Sequence, residues 1–275
     1  RGAKQKRRRD PVYDSALTQS ANGPAMIYCV NGSEALKKRH LVTSRGTGES
    51  HWSAEYIGPR DTSKETSMAP HALVTDMSPN ETILPHFHGM AQFQIFSGGS
   101  GKMGRDDVRP LVVQFKDHHT AYGPVVAGPQ GLTFFAMRMH TVDSGPIYMS
   151  KPGYREKLKP SPRRNLLSAP LVLSTAPVLA SRSDIAREAV YAETYADGLS
   201  AELLRMGAGM TANGPDPAVA GGHYLFVVNG SLDYAGNNYP RWSMIAVEIT
   251  DKPVEFKAGT EGLEVLILQF PRETD

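Results

Sequence analysis

The 275 residues are 40% hydrophobic and 21% charged, enough chain for one large domain or two of moderate size with a substantial core. A single cysteine, Cys29, excludes an intrachain disulfide framework and a cysteine-built zinc cluster, and no apolar run reaches the roughly 20 residues that span a bilayer. The formal net charge of +2 comes from six lysines and arginines among the first nine residues; the rest of the chain is slightly acidic and lacks the broad basic face that a phosphate backbone requires.

Residues 1–20 read as a basic, flexible tail that is not followed by the apolar core of a secretory signal. The expectation is a cytoplasmic protein with neither a nucleic-acid nor a membrane partner. Beyond the tail, 26 glycines and 20 prolines punctuate short apolar runs, the pattern of an all-β chain. Ala72–Glu81 is the first strand and turn, followed by the alternating Gln92–Gly99, then Leu111–Phe115 and Thr133–Arg138. Residues 151–170 are rich in proline, glycine and basic side chains, a surface connection extended here to a linker over 151–185. Ser183–Tyr191 is the best short helix candidate, with Ser183 as N-cap. A strand and turn then return at Glu202–Met210, and strands at His223–Gly230, Met244–Ile249 and Glu264–Gln269.

Two blocks repeat. Gln92–Gly99 matches His223–Gly230, and Ala127–Leu132 matches Ala258–Leu263 at the same offset, each leading into an apolar strand. One offset shared by separate blocks argues for duplication, giving a first unit over 21–150 and a second over 186–275.

In Pro85–His88 the two imidazoles at i and i+2 point to one face of an extended strand and Phe87 to the other. Neutral imidazole is the commonest protein ligand for first-row metals, so His86 and His88 are candidate ligands. The stretch Leu84–Gly99 resembles the first motif of the cupin superfamily, with His86, His88 and Gly99 at matching spacing and Gln92 where the family has a glutamate. Thr120–Pro124 resembles the second motif, with Tyr122 in the place of its histidine. The resemblance implies two tandem double-stranded β-helix, or jelly-roll, barrels. It also implies one divalent transition metal per chain on His86, His88 and Gln92, iron first, with manganese, nickel or zinc as alternatives.

Gln92 offers only a neutral carbonyl oxygen, and Tyr122 either completes the ligand shell or acts as acid or base on substrate. His119 is the candidate for a third imidazole. In the second copy the counterparts of His86 and His88 are Pro217 and Val219, with His223 opposite Gln92, so that barrel is read as structural or dimerising. Tyr224, Asp233, Tyr234 and Trp242 are read there as packing residues. The resemblance implies a metal-dependent enzyme acting on a small organic molecule: a dioxygenase first, with decarboxylase, lyase or isomerase chemistry as alternatives. A non-catalytic bicupin that binds a small ligand or has a structural role is the reading from another class, and a homodimer is the assembly expected beside a small-molecule partner.

Overall fold

The computed structural model describes residues 17–19, 26–43, 47–58, 68–141 and 145–272. Nearly half of them lie in two antiparallel nine-stranded sheets built on one plan. In the first, the central strands run in the order Val113–Lys116, Gln92–Met103, Val125–Arg138, His71–Met77. In the second, Met244–Val247, His223–Tyr234, Glu255–Gln269 and Ser200–Met206 take the corresponding places. The long strands of each unit bend at register shifts and change partners along their length. A sheet curled in this way is a rolled barrel.

The repeated glycines explain the bend. Gly99 and Gly230 both have positive φ, and a Cβ on either would collide with the carbonyl oxygen of Gly131 or Gly262, themselves at positive φ. Only glycine permits that backbone approach, which is why the same spacing appears in both halves of the chain.

Period-two alternation sorts the side chains of each central strand into two cores. Phe96 and Phe134 face the interior of the N-terminal barrel. Their neighbours Ile95 and Phe135 face outward and pack against Phe226, Val228 and Leu266 from the outer face of the C-terminal sheet. Phe135 lies 4.8 Å from Phe226 and 5.6 Å from Trp242, ring centre to ring centre. Buried on both faces, these strands read as nearly continuous apolar runs.

The strands do not respect the chain boundaries drawn from sequence. Met26–Val30, assigned to the first barrel, pairs with Met244–Val247 in the C-terminal sheet. Asn165–Leu167, assigned to the linker, pairs with Val113–Lys116 in the N-terminal sheet. Each unit thus lends an outer strand to the other, filling an edge whose backbone groups need partners. Leu17–Gln19, the end of the expected tail, pairs with Met26–Val30, while residues 1–16 lie outside the described residues.

The helix expected at Ser183–Tyr191 is instead the strand Ala186–Ala189 along Ser200–Met206, an edge position whose ladder bonds override local propensity. Among the described residues the α-helices are Gly32–Lys37, capped by the Asn31 side chain accepting from the Glu34 N–H, and Ala176–Ala180. No helix among the described residues is long and apolar enough to cross a membrane.

Candidate functional site

The short strand His86–Phe87 lies across one end of the N-terminal barrel, paired with Ile147–Tyr148 and bridged to Tyr122. As alternation requires, both imidazoles leave it on one face. His86 and His88 are buried with ring centres 5.1 Å apart, and Tyr122 lies 4.4 Å from His86. Gln92, 1% exposed at the head of the long strand Gln92–Met103, donates from Nε2 to the Tyr122 oxygen at 2.6 Å. Tyr122 Oη in turn lies 3.2 Å from His88 Nε2. The tertiary structure therefore brings together His86, His88, Gln92 and Tyr122. His119 is not among them, because its ring lies against Phe87, which leaves the strand on the opposite side.

Three further side chains enter this cluster from neighbouring strands. Lys116 is the register partner of Gln92 and therefore shares its face; its ammonium sits 4.5 Å from the centre of the Tyr122 ring and donates to Asn165 Oδ1 at 2.5 Å. Arg138 ends the strand Val125–Arg138 on the face of Phe134. Its Nη2 donates to Gln92 Oε1 at 2.7 Å and lies 3.4 Å from His88 Nε2, while Nη1 donates to His71 Nδ1 at 3.1 Å. A signal for these residues existed in the sequence: Gln114 and Lys116 alternate with Val113 and Phe115, and Arg138 closes an apolar run.

Burial governs the electrostatics. It pushes His86 down to about 4, an effect reinforced by the positive charges of Arg138 and Lys116 and opposed by the bond from Nδ1 to the Leu84 carbonyl at 2.7 Å. Burial pushes Lys116 down to about 7 and Tyr122 up to about 12. The same desolvation lowers Arg138 to about 10, which leaves it charged at neutral pH.

A divalent ion here would draw on His86 Nε2, His88 Nε2, Gln92 Oε1 and the Tyr122 oxygen. Gln92 Oε1 and His88 Nε2 already face the Arg138 guanidinium, and the Tyr122 oxygen faces Gln92 and His88. Among the described residues no carboxylate pairs with Arg138, Asp106 only partly offsets Lys116, and no three histidine, cysteine, aspartate or glutamate side chains gather. Two positive groups beside four neutral donors repel a dication. This donor set, as arranged, does not fit the ion expected on His86, His88 and Gln92.

The C-terminal barrel lacks the polar layer. The places of Gln94, Gln114 and Lys116 are taken by Leu225, Ile245 and Val247, in an apolar interior. His223 alone remains there, fully buried with neither ring nitrogen hydrogen-bonded and pushed down to about 4 by desolvation. Replacing His223 by leucine removes two unpaired polar atoms, so a gain of about 1–2 kcal/mol in urea denaturation is expected. The gain grows from pH 6.5 toward 4, since the unfolded imidazole protonates first and acid selectively destabilises the native histidine. A stability loss at pH 7 would mean that this ring has a partner in solution.

The sequence matches no protein-family model and no curated protein. Solved structures do resemble it. A protein of Nostoc punctiforme provisionally assigned as a dioxygenase aligns with a TM-score of 0.58 at 10% identity, covering 91% of this chain and 88% of its own. Oxalate decarboxylase of Bacillus subtilis aligns at 0.55 with 12% identity, over 93% and 80% of the two chains. The fold is that of the cupins. The bacterial pirin of Escherichia coli, solved with nickel(II), aligns at 0.52 with 12% identity over 90% of this chain and all of its own. At such identities the likeness concerns the cupin fold alone.

Proposed function

We propose that the N-terminal barrel is the active site of a cupin-type enzyme that acts on a small organic molecule by proton transfer. The observation that carries this reading is the contrast between the barrels. At matching positions Gln94, Gln114 and Lys116 of one interior stand against Leu225, Ile245 and Val247 of the other, His86 and His88 against Pro217 and Val219, and Gln92 against the lone His223. A fold needs no polar layer at that level, as its second copy demonstrates. Lys116, near 7, has the proton affinity that suits acid–base work at neutral pH. The Tyr122 hydroxyl accepts from Gln92 and is positioned to donate to His88 Nε2, a short path for a proton.

The test is hydrogen–deuterium exchange at carbon. Chelator-treated protein is incubated in D₂O with a panel of small hydroxy and oxo compounds, and loss of C–H signals is followed by NMR. Exchange that falls by about 100-fold or more in both Tyr122→Phe and Lys116→Gln supports proton-transfer catalysis. A dioxygenase reading rests on His86, whose Nδ1 bond to Leu84 aims Nε2 into the site as a metal-bound imidazole would be aimed. Oxygen uptake on adding Fe²⁺, abolished by His86→Ala and without exchange in the metal-free protein, would replace the proposal with that reading. Ligand binding with neither activity would leave a non-catalytic cupin.

A further inference from the structure

Two partly buried arginines of this protein are supplied with carboxylates. Arg164 pairs with Asp117 at 2.9 Å and Asp197 at 2.6 Å. Arg205 pairs with Glu264 at 2.9 Å and with Glu188. Arg138 is more deeply buried than either, at 4% exposure, and among the described residues it has no acidic partner. Its acceptors are the neutral Gln92 Oε1, His88 Nε2 and His71 Nδ1, and its buried Nε–H has no acceptor. The residue is held from behind, where the fully buried Tyr224 of the C-terminal sheet donates to the Arg138 carbonyl at 2.9 Å.

An uncompensated charge in a protein interior is costly and is usually relieved by an ion pair. Here the guanidinium makes hydrogen bonds to two atoms, Gln92 Oε1 and His88 Nε2, that a dication would need, so it stands where the fold's metal would be sought. We propose that Arg138 is the positive centre of the N-terminal site in place of a divalent ion, and that the site's ligand carries a carboxylate that pairs with this guanidinium. The proposal rests on the reading of the N-terminal barrel as the working one. With Nη2 engaged by Gln92 and His88, the guanidinium still has its unpaired Nε–H to offer a carboxylate oxygen, and Lys116 adds a second cation to the same cluster. Neutral His71, His88 and Gln92 keep the guanidinium aimed without cancelling its charge.

Acetate is the probe, with acetamide as its neutral isostere and inorganic phosphate as a second anion, all at fixed ionic strength. Calorimetry on the chelator-treated full chain is expected to give saturable binding of acetate and none of acetamide. Arg138→Gln should weaken acetate by roughly tenfold or more, and Arg138→Lys, which keeps the charge but loses the Nε–H donor, by less. If Arg138→Gln does not fold, Arg138→Lys decides alone. Protein purified without chelator should carry only substoichiometric manganese, nickel, iron and zinc by elemental analysis.

Acetate affinity unchanged by the Arg138 variants, phosphate binding with no acetate binding, or one tightly held metal per chain would each overturn the inference. Arg138-dependent acetate binding without proton exchange would keep this inference and remove the enzyme reading. Exchange together with acetate affinity indifferent to Arg138 would do the reverse.

Discussion

Replacing Lys116 by methionine is expected to raise the unfolding free energy by on the order of 5 kcal/mol at pH 6, and by progressively less toward pH 10. Lys116 is 1% exposed, and burial pushes it from 10.5 to about 7. The sign is opposite to that of a lysine that gains a partner. Below pH 7 both folded and unfolded states are protonated, and the native state bears the full cost of a buried ammonium. Between pH 7 and 10.5 the folded lysine has lost its proton while the unfolded one keeps it. Wild-type stability therefore climbs relative to the variant by about 1.4 kcal/mol per pH unit. Methionine has similar length and no charge, and Asn165 Oδ1 keeps its second donor, Gln114 Nε2 at 3.3 Å. Urea denaturation of both proteins from pH 6 to 10 measures the effect. A difference that does not change with pH would mean that Lys116 reaches water or an anion in the native protein.

Phe135→Ala is expected to cost roughly 3–5 kcal/mol and to loosen the contact between the barrels. The ring is 1% exposed and meets Tyr56 edge-on at 5.4 Å, in addition to Phe226 and Trp242. Truncation therefore opens a cavity walled by both sheets. Phe96→Ala is the control: that ring is also fully buried, but it faces the N-terminal interior, 5.8 Å from Phe134. Both variants should lose similar stability by denaturant titration. Only Phe135→Ala should red-shift the native fluorescence, because Trp242 lies in the interface and the other tryptophan, Trp52, is already 49% exposed. An unchanged spectrum in Phe135→Ala would show that the barrels remain packed around the gap.

Much of this protein was legible along the chain because it is local. Alternating runs ending in glycine specify strands and bends, and their recurrence at one offset specifies two copies of one fold. The spacing of His86 and His88 puts both imidazoles on one face of a strand whatever the rest of the chain does. The contrast between Gln92 and His223, or between His86 and Pro217, places the polar site in the first copy.

Other features belong to no single segment. His71, Lys116 and Arg138 come from three strands, and only sheet register decides that they meet beside Gln92. A lysine or arginine in a strand reads equally well as an exposed end, since sequence records its charge and not which neighbour faces it. The exchange of Met26–Val30 and Asn165–Leu167 between the sheets was hidden for a similar reason: edge pairing satisfies backbone groups common to every residue, so composition does not name the partner. The sequence alone thus determined the two rolled sheets and the inward histidine pair. Tertiary structure decided that a guanidinium 46 residues along the chain from Gln92 reaches that residue and His88, because charge acts through space and the fold sets the distances.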